Sequence, residues 1–521
     1  MLISLVTAID SLALSTFLYL LFAFRDHRRR RGSPYPPGPP SWPIIGNLLD
    51  VPKLSPWFLK YGKIDLSSCC DVICLQVFGQ AVVVLCSPTA IKDLLERRGE
   101  LYADRMPFPI FEPELMGVEW FLPHSRLGKY WREGRKLLDR SFRPSAIALH
   151  RGLIEEKTRV FLGQLLATPN AFREHIELLQ GKIVMRLTYG YDLKDNDDML
   201  VPPRGVVNIT KQFMLPGAAL VNDLPFLRHL PSWVPWFKYE PLVSQCRELA
   251  WRTKNEPFDF VRNSMRAGTA VPSLATEYLQ EADLLSDLDS QPRMQDIKDL
   301  LGSLFIAGSD TTTAAMYSLF LALILYPEVQ KRAQAELDAV SSRDRLPTYD
   351  DKPRLPYIEA MSKELMRWQM VTPLGPHATT DDDFYRGYFI PKGAAVITNG
   401  WAVLHNPELY PDPEAFNPDR FLNEDGTFRD DPMIPLAFGA GRRICPARHF
   451  VDTTLFIVTA SVLSVFNVTK AKDKDGNDIP VAVPPLESIL PDIAIQLPKF
   501  GCSITPRDKV AEDLIRASAL A

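Results

Sequence analysis

The run FGAGRRICPARHF, Phe438–Phe450, decides the fold. Gly439 and Gly441 carry no Cβ, so the backbone there can turn tightly and come close to a flat ligand. Cys445 follows the turn. Pro446 suits the first position of a helix, where a missing N–H costs nothing. A thiolate at such a start is favoured by the positive end of the helix dipole and by free backbone N–H groups. Arg443, two residues before the cysteine, is placed to pair with an anionic group on the same ligand. A lone cysteine in a glycine-rich loop reads most simply as a small core residue. With Phe438, two glycines and Arg443 in one window, the reading turns to a ligating thiolate.

Working outward, LFIAGSDTT, Leu304–Thr312, lies inside a long apolar helical pattern. Gly308 is expected to open the helical ladder, and Asp310 with Thr311 supplies an acid and an alcohol able to relay protons. A polar kink in a buried helix is the competing reading. KELMR, Lys363–Arg367, puts Glu364 and Arg367 on one helix face at i, i+3. Glu156 and Arg159 share that spacing and read as a solvated pair, so the motif gains weight only from NPDRF, Asn417–Phe421, whose Arg420 offers a second cation. WREGR, Trp131–Arg135, and His377 in PLGPHATTDD complete the set. Trp131 equally suits a core aromatic, and His377 a surface position.

The chain has 521 residues, 46% hydrophobic and 23% charged, with a net charge of −4, so no basic footprint for nucleic acid is present. Seven cysteines, an odd and sparse number with no CxxC pair, exclude a disulfide framework and point to a reducing compartment. Cys69, Cys70 and Cys74 cluster just before a hairpin pattern at Val77–Val84 and read as core residues rather than metal ligands. Residues 2–24 hold 17 apolar and six polar side chains, with Asp10 the one ionisable group. At about 1.5 Å per residue this segment reaches roughly 35 Å, enough to span a bilayer core. Arg25 and Arg28–Arg31 follow it, which by the positive-inside rule puts the remainder on the cytoplasmic side. A cleaved signal peptide would carry its basic charge at the other end. PYPPGPPSWP, Pro34–Pro43, reads as a stiff extended spacer.

Three regions result: 1–24 as a transmembrane signal anchor, 25–43 as a basic and proline-rich linker, and 44–521 as one catalytic domain. Within the last, helical patterns cover Arg151–Leu166, Gln295–Leu325, Pro327–Val340 and Tyr357–Gln369, with strands around Val72–Leu85 and a strand-like return near Ile493–Ile504.

The ordered set resembles the cytochrome P450 family, whose cysteine loop runs F-x-x-G-x-R-x-C-x-G. Phe438, Gly441, Arg443 and Cys445 match, while Ala447 stands where the family has its last glycine. The resemblance covers nearly the whole chain, and PGAALVNDLPFLRHLPSW is similar to filamentous-fungal, especially basidiomycete, members near the O-methylsterigmatocystin oxidoreductase group. It implies a mainly α fold with small peripheral β-sheets and a haem b whose iron takes Cys445 as axial ligand. Phe438, Gly439, Arg443, Trp131, Arg135 and His377 would contact that cofactor. Asp310 and Thr311 would deliver protons, and Glu364, Arg367 and Arg420 would form a structural charge triad.

The implied reaction inserts one oxygen atom of O2 into a C–H bond of a lipophilic small molecule. Terpenoids, polyketides or aromatic alkaloids of fungal secondary metabolism are the expected substrates. Electrons would come from NADPH through a separate, membrane-bound cytochrome P450 reductase, docking where Arg140, Arg143, Arg442 and Arg448 offer positive charge. The implied location is the endoplasmic reticulum membrane, single-pass. Met106–Phe121, Phe213–Phe237 and Met370–Gly375 are expected to line the pocket. Alternatives are a haem-thiolate isomerase or dehydratase needing no reductase, a xenobiotic or fatty-acid hydroxylase, and a non-enzymatic haem sensor or carrier.

Overall fold

The computed structural model describes residues 28–43, 45–50, 71–214, 218–229, 239–284, 287–483 and 497–519. The apolar segment 2–24, Cys69, Cys70, Trp233 and Trp236 fall outside them. Among the described residues no single helix is long and apolar enough to cross a membrane.

Helices dominate. In chain order the longer ones are α1 (Lys129–Phe142), α2 (Arg151–Ala167), α3 (Phe172–Tyr189), α4 (Val201–Thr210), α5 (Glu240–Arg266), α6 (Leu274–Asp283), α7 (Asp287–Leu325), α8 (Pro327–Ser341), α9 (Pro356–Trp368), α10 (Arg448–Val465) and α11 (Lys509–Ala519). Four of these match the expected periodic stretches, α7 beginning eight residues earlier than Gln295. Pro327 and Pro356 both stand at the first helical position, where the ring's fixed φ is already helical. The axis turns by 104° between α7 and α8. α7 is the central rod, with Phe305, Met316, Phe320 and Leu323 fully buried and α3, α4 and α5 packed on it. α10 is buried along nearly its whole length from Thr454 to Val465.

The β structure is small and lies to one side. β1 (Val72–Val77) and β2 (Gln80–Leu85), rich in β-branched residues, form the expected hairpin, turning through Phe78 and Gly79 at φ 49° and 80°. β2 pairs in parallel with β6 (Ala395–Asn399), which pairs antiparallel with β3 (Leu374–Ala378). β4 (Asp383–Tyr385) pairs with β5 (Tyr388–Ile390), and β7 (Phe466–Lys470) with β8 (Cys502–Pro506). Cys74 is buried in β1, and burial pushes its thiol up to about 12, as befits a core residue.

The proline-rich stretch is docked on this sheet. The Cys74 and Phe389 amides donate to the carbonyls of Pro37 and Pro34, each at 2.8 Å, and Arg29 pairs with Asp382. A Cβ on Gly38 would meet the Cys74 carbonyl oxygen at 1.9 Å, so only glycine lets the two backbones lie this close.

Candidate active site

The cysteine loop sits between a short 3-10 turn, Ile434–Phe438, and α10. Gly439 adopts φ 90° and ψ −168°, and Gly441 adopts φ 60° with its α-carbon so near Leu95 that a Cβ would lie 2.1 Å from the carbonyl oxygen. The Cys445 amide closes the loop by donating to the Phe438 carbonyl at 2.8 Å. α10 begins at Arg448, so Pro446 precedes the helix by two residues instead of opening it. Ala447 has φ −87° and ψ 10°, in the bridge region next to the right-handed helical one, where the negative φ makes no call for glycine. Burial raises the Cys445 thiol, opposed first by the Ala447 N–H and then by the Arg135 and Arg448 guanidiniums.

A cavity of about 350 Å³ takes its walls from this loop, from α7 and from the segment around β3. Cys445, Phe438, Gly439, Arg443 and His377 line it, as do Asp310 and Thr311. Its apolar wall includes Phe111, Val118, Phe121, Val206, Ile306 and Leu374. Of the three expected pocket segments, Met370–Gly375 and part of Met106–Phe121 line the cavity, and Phe213–Phe237 contributes Met214. Trp120 does not: it is buried below and donates Nε1–H to the Gly117 carbonyl at 2.7 Å. Phe226 does not either, being 61% exposed, because its 3-10 turn holds it outward.

One side of the cavity concentrates positive charge. Arg443 is buried, donating Nε–H to the Ala103 carbonyl at 2.6 Å and Nη2–H to the Ser125 carbonyl at 3.0 Å. Its guanidinium lies 4.3 Å from the ring centre of Trp131, which is itself buried. Arg443 Nη1 is buried with no partner. Beside it Arg105, a residue no motif singled out, is buried and donates to the carbonyls of Pro123 and Pro376. Burial pushes Arg105 down to about 10, and burial together with Arg105 pushes Arg443 down to about 9. Guanidiniums stay charged, so these shifts register how little negative charge faces them. The adjacent Asp104 is held by Arg126 and by the Leu127 amide at 2.7 Å. His377 is buried at 3% exposure, not on the surface, and its Nδ1–H donates to the Tyr102 carbonyl at 3.1 Å. Burial, then Arg105, holds its imidazole well below the usual range.

Arg135 departs from its expected position. Its guanidinium pairs with Asp139 at 2.9 Å and donates to the Ile444 carbonyl, so it braces the cysteine loop and is not among the residues lining the cavity. Its place one helical turn past Trp131 turns it toward the loop, and Arg105 stands at the cavity wall instead.

On α7 the helix runs through Gly308 without a break, contrary to the expected opening. The glycine serves a close approach: a Cβ would lie 2.9 Å from Val184 Cγ2 of α3, and Gln180 Nε2 donates to the Gly308 carbonyl at 2.8 Å. Thr311 donates its hydroxyl to the Ala307 carbonyl at 3.0 Å. Asp310 also lines a second, polar cavity of about 130 Å³ with Arg173, Glu177, Arg204, Asn208 and Thr313. There Glu177 pairs with Arg204 at 2.9 Å and with Arg173 at 3.5 Å.

Behind the loop, Glu364 and Arg367 are fully buried, joined by two bonds of 2.6 and 2.8 Å, and Arg420 approaches Glu364 at 3.4 Å. Arg367 also donates to the carbonyls of Leu404, Pro413 and Ala415. Of the four candidate docking arginines, Arg140 pairs with Glu277 and Glu281, and Arg442 reaches Glu100 at 3.7 Å. Arg448 donates to the Cys445 carbonyl at 3.3 Å, and Arg143 is exposed.

The cytochrome P450 family model matches residues 36–491. A cytochrome P450 monooxygenase of Coprinopsis cinerea, COX2, is 36% identical over 501 residues, covering 94% of this chain and 93% of that protein. The cytochrome P450 monooxygenase claR of Ampulloclitocybe clavipes is 36% identical over 505 residues, covering 96% and 90%. Tryptamine 4-monooxygenase of Psilocybe cyanescens is 36% identical over 484 residues, covering 91% and 93%. With a mainly helical fold, small sheets and this match along most of its length, the chain belongs to the cytochrome P450 family, as one of its haem-dependent monooxygenases.

Proposed function

We propose that this protein inserts one oxygen atom of O2 into a C–H bond of a lipophilic secondary metabolite, with Cys445 as the thiolate that would hold the haem iron. The observation that carries the reading is a single cavity holding the Cys445 side chain, an acid and an alcohol, with apolar walls and unpaired positive charge on one side. The residues fit haem. A buried thiol suits iron, the close backbone at Gly439 suits a flat ring, and the partnerless Arg443 Nη1 with Arg105 suits carboxylates in a place where charge without a counter-ion is costly. Haem bound through a thiolate supplies the activation of O2 and the oxidation of the C–H bond.

The chain's own side chains do the remainder. Thr311 holds a proton at its hydroxyl, and Asp310 passes one to it from the polar cavity lined by Glu177. The phenylalanine and aliphatic walls hold an apolar substrate and exclude water. An aromatic alkaloid is a favoured substrate class within the wider terpenoid, polyketide and alkaloid range, because one relative is named tryptamine 4-monooxygenase and Phe111 and Phe121 offer aromatic faces.

NADPH would supply the electrons through a separate cytochrome P450 reductase. Residues 2–24 with the arginines after them support a single-pass anchor in the endoplasmic reticulum membrane, the body facing the cytoplasm. Expression with such a reductase in microsomes, followed by untargeted product analysis on indole, terpene and polyketide scaffolds, tests the reading. A product one oxygen heavier that requires NADPH is expected. Conversion that proceeds without NADPH would replace the reading with an isomerase or dehydratase.

A further inference from the structure

His124 is the one side chain of the positively charged wall that no motif and no hydrogen bond explains. It lines the main cavity, and its ring packs on Phe108, Phe111 and Phe121, at 5.8, 5.6 and 5.2 Å between centroids. Nδ1 is buried with no partner, and among the described residues neither ring nitrogen makes a hydrogen bond. A buried polar nitrogen without a partner costs free energy that an apolar residue in the same aromatic nest would not. A histidine kept there at that cost has a partner that the protein alone does not supply.

The neighbours specify that partner's charge. Burial disfavours a proton on the ring, and Arg105 and then Arg443 add to this, so His124 is pushed down to about 3. His377 faces the same two guanidiniums. Asp104, next to Arg105 in the chain, is engaged by Arg126 and the Leu127 amide. Two guanidiniums and two imidazoles thus surround a space with no free anion among the described residues. Donors so arranged are complementary to a carboxylate.

We infer that His124 donates a hydrogen bond to a carboxylate of the bound haem, holding the cofactor from the substrate side of the cavity. The inference rests on the family reading of the site and extends it to a residue outside the expected contacts, Trp131, Arg135, His377 and Arg443. Because Phe111 and Phe121 both touch His124 and both line the cavity, a substrate pressed against them bears on the same imidazole.

The test uses the holoprotein and the rate at which it loses haem to excess apomyoglobin. His124→Phe removes the donor and keeps a planar ring in an aromatic nest, and His124→Gln restores a donor. Loss of one charge-assisted bond predicts haem release roughly 10- to 100-fold faster for His124→Phe, with His124→Gln recovering most of the difference. Both variants should keep the carbon-monoxide band of thiolate ligation, whose absence from the wild-type protein would sink the family reading and not this one. Wild-type haem retention in His124→Phe overturns the proposal, as does an unchanged propionate bending band in the resonance Raman spectrum of that variant. A change confined to the affinity of a lipophilic azole also overturns it, since His124 would then serve the substrate alone. If His124→Phe does not accumulate, the same two readouts on His124→Leu, which also lacks the donor, decide.

Discussion

Cys445 and Ala447 show how much one residue carries. The loop around Cys445 is closed by its own amide on the Phe438 carbonyl and by two glycines in left-handed or otherwise glycine-favouring conformations, so the thiol's position is a property of the backbone. Cys445→Ser should abolish the carbon-monoxide band that marks a thiolate, measured in microsomes; persistence of that band would remove Cys445 from the ligand's role. Ala447 offers the opposite expectation. Its φ of −87° needs no glycine, so Ala447→Gly should leave haem content unchanged and cost at most about 1 kcal/mol through the greater freedom of the unfolded chain. A large gain in haem affinity for that variant would show that the methyl group presses on the cofactor. Arg105 was not legible as a site residue, because it lies in irregular chain between β2 and α1 with no periodic pattern to mark it. Only its position as the one cation in the mostly apolar stretch YADRMPFPIF, Tyr102–Phe111, hinted at a buried role.

At the scale of elements, α7 is where sequence and structure agree most and also where they part. A continuous apolar pattern predicts a long buried helix, and the polar set at Ser309–Thr313 stands out against it. What the pattern does not predict is that Gly308 serves α3. The glycine gives Val184 room and presents its carbonyl to Gln180, a contact made across 128 residues of sequence. Gly308→Ala should push the two helices apart and destabilise the fold by about 1–3 kcal/mol, read by urea unfolding of the holoprotein. On the same helix, Thr311→Ala should bind haem normally and divert consumed oxygen to peroxide; fully coupled turnover would argue against a relay. Asp310→Asn should slow coupled turnover roughly 100-fold and raise its solvent isotope effect. The four-stranded sheet was half legible. The β1–β2 hairpin is local and announces itself by its turn, whereas β3 and β6 are five-residue strands joined to it only through the pairing of β6 with β2, some 300 residues away, and nothing local marks them.

For the whole molecule, the buried charges set the limits of stability. Glu364 and Arg367 are fully enclosed, and every charged bond between them is made. Removing one member leaves the other buried and unpaired, so Glu364→Gln should cost about 3–5 kcal/mol and deplete folded holoprotein. His405 adds a pH dependence. Burial, then Arg367, holds its imidazole down at about 3, while in the unfolded chain it titrates near ~6.5. The unfolded state therefore binds the extra proton between these values. The stability this neutral histidine contributes is full above pH ~6.5 and falls by about 1.4 kcal/mol per unit as the pH drops toward 3. Wild type compared with His405→Gln should differ in slope between pH ~6.5 and 5, and a difference independent of pH would show that His405 takes up its proton equally in the folded and unfolded chain. The docked stretch at residues 28–43 has a consequence of another kind. Because Arg29, Pro34 and Pro37 are fastened to the sheet by Asp382, Phe389 and Cys74, the chain leaves the body along a fixed line. Under the proposed anchoring, that fixed exit would also set the attitude of the cavity relative to whatever surface holds the chain.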